Sequence, residues 1–233
     1  MSTVHILPIT GIPEISPGDD LAGLILEAIT TGDHDLRSGD VLVVTHKIVS
    51  KAEGRIIDAS DDVAYRAAVE DEARSIIRRR GDLIIAQTRH GFICANAGVD
   101  RSNVTGDRAV LLPLDSDRSA HGIRMRINQE TGIDTPVIIS DTFGRPWRRG
   151  QTDIAIGVSG LKAIDDHKGQ PDSNGRIMEA TEVAIVDEIA AAADLAMGKS
   201  TQIPVAVVRG VAWEEGSSRA TDLVRPPHED LFR

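Results

Sequence analysis

Cysteine is almost missing from these 233 residues: Cys94 stands alone. No internal disulfide can form, and a chain without crosslinks fits a reducing cytosol. Cys94 itself reads as a small apolar residue on a strand. Aromatic residues are also scarce, at 3%, so Ala, Val, Ile and Leu must fill the core. Few rings remain on which bases could stack. Basic residues are in deficit, 26 Lys and Arg against 36 Asp and Glu, for a net charge of -10. That balance speaks against broad nucleic-acid binding, which needs a basic footprint. An anionic ligand is still possible where cations are gathered locally. No apolar run approaches the roughly 18 residues of a membrane span, and the N-terminus carries neither the basic region nor the long apolar segment of a secretory signal. Glycine loops of the GxxxxGK[ST] or strand-following GxGxxG type are missing too, so a nucleotide would be bound by an atypical route. The expectation is a soluble, cytoplasmic protein with no nucleic-acid or membrane partner.

The length suits a single domain over residues 1–233, or two intimately packed subdomains. No internal repeat or low-complexity linker divides the chain. Branched apolar runs predict strands at Val4–Ile9, Asp40–Thr45, Val137–Ser140, Asp153–Ser159 and Pro204–Arg209. Asp82–Thr88 and Gly91–Asn96 predict a hairpin. Helices are expected from Asp19 or Asp20 to Thr31, over Asp61–Arg80, Asp115–Thr131 and Arg176–Met197, the last alanine-rich and apolar on much of its circumference. Arg78, Arg79 and Arg80 would then complement a helix C-terminus. Strands and helices in irregular alternation, with an antiparallel hairpin in the middle, point to the α+β class.

One stretch concentrates chemistry: Ile138–Thr152, IISDTFGRPWRRGQT. Asp141 and Thr142 are expected where a strand gives way to a loop. A carboxylate beside a hydroxyl can hold a hard cation through oxygen. Arg145, Arg148 and Arg149 follow, and guanidinium forks suit phosphate oxygens. A second stretch, Asn96–Asn103, sets Asp100 and Asn103 just past a strand, beside Gly98; a metal ligand there gains weight if Asp100 faces Asp141. Without that, it is an Asx-type turn. Lys47, Lys51 and Arg55 recur every four residues, which on a helix makes one basic face. By spacing alone that face is solvated, with Lys51 the candidate phosphate contact. Prolines and glycine around Ile12-Pro13-Glu14 make a stiff loop. Glu215, in a polar glycine-bearing loop, is a further candidate oxygen ligand. Residues 160–175 form either a mobile lid or a surface loop.

Taken together, LPITGIPEI, GDVLVVTHKIVSKAEGR, NAGVDRSNV, SDTFGRPWRRGQTD, DEIAAAADLAMGK and PVAVVRG resemble the coenzyme F420:L-glutamate ligase family, in its stand-alone form, over essentially the whole chain. The resemblance implies a gamma-glutamyl ligase-like fold, an intertwined homodimer, and GTP-dependent joining of L-glutamate to coenzyme F420-0 through an acyl phosphate, releasing GDP and phosphate. It implies two divalent cations, Mn or Mg, and a monovalent cation such as K as a further candidate. By position it implies Asp100 and Asp141 as ligands to one metal and Thr142 to a second. Asn103, Ile12-Pro13-Glu14-Ile15 and Lys51 match GTP contacts, and His46 occupies a contact position that is often serine in relatives. Asp100, Asp141 and Arg145 are the expected catalytic set. Rival readings are an amide ligase with another carboxylate acceptor and a non-catalytic GTP-binding protein. An RNA-binding module around Arg78–Arg80 is disfavoured by charge.

Overall fold

The computed structural model describes residues 3–104 and 106–231. In chain order its elements are β1 (His5–Ile9), α1 (Leu21–Thr31), β2 (Val41–Thr45), α2 (His46–Ala52), β3 (Ile56–Asp58), α3 (Asp62–Glu72), β4 (Ala73–Arg80), β5 (Leu83–Thr88), β6 (Ile93–Ala95), β7 (Arg108–Val110), α4 (Ser116–Thr131), β8 (Val137–Arg145), β9 (Arg148–Leu161), β10 (Asp165–Asp166), β11 (Glu182–Val183), α5 (Ile185–Met197), β12 (Val205–Arg209) and β13 (Glu215–Gly216). Short 3-10 turns follow β6 and β13. The architecture is mixed α and β, as the irregular alternation predicted.

A six-stranded sheet, ordered β1-β12-β2-β8-β9-β13, carries the larger core. Its centre is β2. Val41, Leu42, Val43 and Val44 are all fully buried, as a near-continuous apolar strand requires. β12 pairs with β2 antiparallel, whereas β2 and β8 run parallel, with Leu42 opposite Val137 and Thr45 opposite Ser140. Among the described strands this is the one parallel pair. The helices α4 and α5 pack on β9. Gly157 lets α4 come close: a Cβ there would lie 2.5 Å from the Ser116 carbonyl oxygen. A second, smaller core gathers Ala59, Val69, Ile84, Ala86, Ala97, Val99, Ala109 and Leu111 under the sheet β4-β5-β6 and the β3-β7 pair.

Asp20 caps α1 by accepting from the Gly23 N–H, and Asp115 caps α4 through the Arg118 N–H. Three expectations need correction. The charged helix does not run from Asp61 to Arg80: it ends at Glu72, and Ala73–Arg80 is strand β4, paired with β5. The β-branched Ile76-Ile77 suits a strand, and the ladder with β5 supplies the backbone bonds. Arg78–Arg80 are therefore strand residues and cap nothing. The alanine-rich helix starts at Ile185, not Arg176; Glu182–Val183 pair instead with Asp165–Asp166. It buries one face, through Val186, Ile189, Ala190, Ala193 and Met197, while Leu195 is exposed. Lastly, β8 continues through Asp141 to Arg145 and turns at Pro146-Trp147 into β9, so the arginine-rich segment is a hairpin tip and not a loop.

At the entry of β2, Asp40 is fully buried and takes two bonds from Arg209, Nε at 2.7 Å and Nη2 at 2.8 Å. It ties β12 to the entry of β2. Removing one partner of such a pair strands a charge in low dielectric. Arg209→Met is expected to cost about 3–5 kcal/mol of stability, read as a lower urea midpoint at unchanged slope.

Candidate functional site

The parallel pairing decides where the chemistry sits. Thr45 lies opposite Ser140, so the next residues along each strand, His46 and Asp141, are brought side by side. His46 opens α2 and is buried. Its Nε2 lies 3.2 Å from Asp141 Oδ1, within ion-pair reach but without the alignment of a hydrogen bond. The following residue, Lys47, holds Asp100, Nζ to Oδ2 at 2.8 Å. Asp100 also accepts from the Ser102 N–H at 2.6 Å and the Ser102 O–H at 2.9 Å. The two aspartates, far apart in sequence, thus lie against consecutive residues of α2. Burial pushes the Asp100 carboxyl up, but Lys47 and the Ser102 donors outweigh it and hold it below the ordinary carboxylate value.

One turn further along α2 is Lys51. It is buried, with Nζ 2.6 Å from Glu14 Oε1 and 3.2 Å from the Asn103 carbonyl oxygen. This links the Ile12–Ile15 loop, anchored by buried Ile15, to the Asn103 turn. The solvent-facing basic stripe expected from spacing is corrected here: Lys47 and Lys51 are paired with anions, and Arg55, beyond the helix, bonds Glu72 and the Leu112 carbonyl instead. Asn103 has φ +54°, a left-handed conformation that Asn tolerates, and its Nδ2 reaches toward the Lys199 carbonyl at 3.4 Å.

Thr142 faces away from Asp141, as strand alternation requires. Opposite it on β9 is Asp153, which is buried and accepts from Thr142 O–H at 2.6 Å and Ser140 O–H at 2.9 Å. Lys199 Nζ completes the group, 2.7 Å from Thr142 Oγ1, 2.9 Å from Asp153 Oδ1 and 2.7 Å from Asp194 Oδ1. Burial opposes the Lys199 charge, but Asp194 and Asp153 prevail and raise its pKa. Sequence reasoning assigned no role to Asp153, Asp194 or Lys199. A signal was present: Ser140 and Thr142, two apart on one strand, need a shared acceptor when buried.

Two expected residues are not drawn into this cluster within one chain. Glu215 pairs with Leu161, seven residues along β9 from Ile154, the partner of Asp141. At about 3.3 Å per strand residue this puts it about 20 Å away. Arg145 lies four residues beyond Asp141 on the hairpin and donates to the Arg149 carbonyl at 3.0 Å. Cys94 is buried, and burial, then the nearby Asp141 charge, pushes its thiol up to about 12, which makes it inert.

The donors at this end of the sheet are hard oxygens: Asp100, Asp141, Thr142 and Asp153, with Asp141 and Thr142 on opposite faces of β8. Ammonium groups stand against three of them, and buried His46 Nε2 has no aligned partner. Such a set fits Mg or Mn by chemistry. Among the described residues no three His, Cys, Asp or Glu side chains already converge as a ready cage. A surface hollow of about 500 Å³, lined by Pro17, Gly54, Ile56, Asp58 and Arg108, holds none of these residues. Charge placement, not cavity shape, marks the site. Among the described residues no helix is long and apolar enough to cross a membrane.

Fold and site together define the class: an α+β protein whose oxygen donors and ammonium groups meet at the carboxyl end of a parallel strand pair, a usual place for ligands. The family model of F420-0:gamma-glutamyl ligase matches residues 10–210, a span that includes the whole cluster. The coenzyme F420:L-glutamate ligase of Methanothermobacter thermautotrophicus is 42% identical, covering 99% of each chain. Its counterpart from Methanopyrus kandleri is 39% identical over 100% of this chain and 99% of its own, and that of Methanocaldococcus jannaschii 41% over 86% and 87%. The chain belongs to the F420-0:gamma-glutamyl ligase family, and it is an enzyme of the ligase class.

The depressed Asp100 pKa has a sign. The Lys47–Asp100 contact stabilises the fold above the unfolded carboxyl value of about 3.9 and is lost as pH falls through the lower folded value. Lys47→Met is expected to move the Asp100 carboxyl upward in a carbon-13 NMR titration; an unchanged value would contradict the contact.

Proposed function

We propose that this protein joins the amino group of L-glutamate to the terminal carboxylate of coenzyme F420-0 at the expense of GTP. The reading is supported by the family membership and by one observation above all: Asp100 and Asp141 lie against adjacent residues of α2, one turn from Lys51 and Asn103. A carboxylate oxygen of the deazaflavin attacks the γ-phosphorus of GTP. The bond to the β,γ-bridging oxygen breaks, leaving GDP and an acyl phosphate. The glutamate amine then attacks the acyl carbon; inorganic phosphate leaves and the amine loses a proton. No protein nucleophile takes part, so positioning and charge neutralisation carry the rate.

The roles follow from placement. Asp100 and Asp141 would hold one divalent cation and Thr142 a second, which when bound offset the charge of the phosphate oxygens. Lys51 is poised to leave Glu14 for a phosphate, and Asn103 and the Ile12–Ile15 loop line its approach. His46 fixes Asp141. A monovalent ion such as K belongs to the same reading without a residue assigned to it. Homodimerisation does too: Gly144–Gln151 project with every residue exposed, and Arg145 and Glu215 stand outside the cluster of their own chain.

The direct test mixes protein, GTP, Mn and L-glutamate with and without F420-0. Phosphate release that depends on F420-0, and a product heavier by one glutamyl residue in mass spectrometry, are expected; release stimulated only by a different carboxylate would favour the alternative acceptor. Asp141→Asn should reduce ligation by about 100-fold or more with the circular dichroism spectrum intact. Lys51→Ala should weaken GTP binding by about tenfold while slowing bound turnover less, and equal affinity in a titration would remove Lys51 from the phosphate site.

A further inference from the structure

Lys199 is surrounded in a way that an ordinary surface ion pair is not. Three oxygens from three elements meet its ammonium: Thr142 on β8, Asp153 on β9 and Asp194 on α5, at 2.7–2.9 Å. Two of the three are carboxylates, and Asp153 is buried. The hydroxyl hydrogen of Thr142 is committed to Asp153, so the lone pairs of its oxygen turn toward Lys199. This is an incomplete oxygen shell for a hard cation, with an ammonium in the place of the ion.

The protein has another way to hold a buried carboxylate for good. Asp40 is clasped by the fork of Arg209, which is rigid and bidentate. At Asp153 it uses lysine, a point charge on a flexible stem, and the Lys199 side chain is more than half exposed although its carboxylate partner is buried. Lys199 stands just past Gly198, which leaves α5 with φ +62°. Its stem can swing into solvent without moving the backbone. The carbonyl of the same residue meets Asn103, so a released ammonium stays beside the Asn103 and Lys51 side of the site.

We propose that Lys199 is a positioning residue that serves as an exchangeable counter-ion: it holds the Thr142, Asp153 and Asp194 oxygens in place, gives them up to a divalent cation, and then presents its ammonium to the bound polyanion. The inference rests on the reading of Thr142 as a cation ligand. Ammonium and divalent ion are like charges competing for one set of lone pairs, so occupancy by one excludes the other. Asp153 holds the Thr142 hydroxyl in the same orientation for both.

The test is a titration of the full chain with Mn alone, without nucleotide, following free Mn by electron paramagnetic resonance, together with thermal unfolding. Lys199→Met is expected to melt lower than wild type without Mn, to bind Mn about tenfold more tightly once the competing charge is gone, and to gain more in Tm on adding it. Lys199→Arg, which keeps the charge, should not show the gain. Equal Mn affinity in Lys199→Met and wild type would overturn the exchange while leaving Thr142 as a cation ligand. Mn binding by neither would overturn both. Should Lys199→Met fail to fold, wild type decides: saturation with Mg must shift the Lys199 side-chain nitrogen resonance in nitrogen-15 NMR, and a resonance unchanged by Mg refutes the proposal.

Discussion

The parallel contact of β2 with β8 is the constraint on which the site depends. Because Thr45 stands opposite Ser140, the two chains emerge from the sheet in step, and His46 meets Asp141. A slip of one residue would turn every side chain of β8 to the other face. Asp141 would then lose His46. The buried run Val41–Val44 and the buried Val137–Ile139 enforce the register, since neither strand has a polar face to offer solvent. The hydrophobic core thus sets the geometry of the polar site at its edge.

Electrostatics follow a division of labour. The chain is acidic overall, at -10, yet Lys47, Lys51 and Lys199 are concentrated within one end of the sheet. Each is paired with an anion of the protein. Arginine is used elsewhere, for fixed links: Asp40 to Arg209, Glu72 to Arg55, and Asp134 to Arg124, where the hydrogen bond from Arg124 holds the carboxyl below its usual range. A guanidinium fork gives geometry that persists, whereas an ammonium can change partners at low cost. The lysines therefore sit at the strand ends where charge can be re-paired, and the arginines where it cannot.

Much of the fold is legible along the chain. Apolar runs at Val41–Thr45 and Val205–Arg209 are strands because they are buried on both faces, and Asp20, Asp115 and Gly132 punctuate helices as capping chemistry dictates. Failures fell where local pattern is ambiguous. Asp61–Arg80 has charges at helical spacing, but its second half is drawn into a sheet by β5, a partner that no local window contains. Arg145, Arg148 and Arg149 crowd one motif with Asp141, but in the fold they ride a hairpin tip beyond it, and within one chain the cations against the aspartates are those of α2 and of Lys199, just past α5.

By itself the sequence determined the residue types of the site, the strands that lead into Asp100 and Asp141, and its wealth of oxygen donors, because strand periodicity and donor chemistry are local properties. Only tertiary structure decided which groups meet: His46 with Asp141, Lys47 with Asp100, Lys199 with Thr142, Asp153 and Asp194. Those meetings join residues tens of positions apart through sheet register and helix packing, and register is a property of paired strands that no single strand carries.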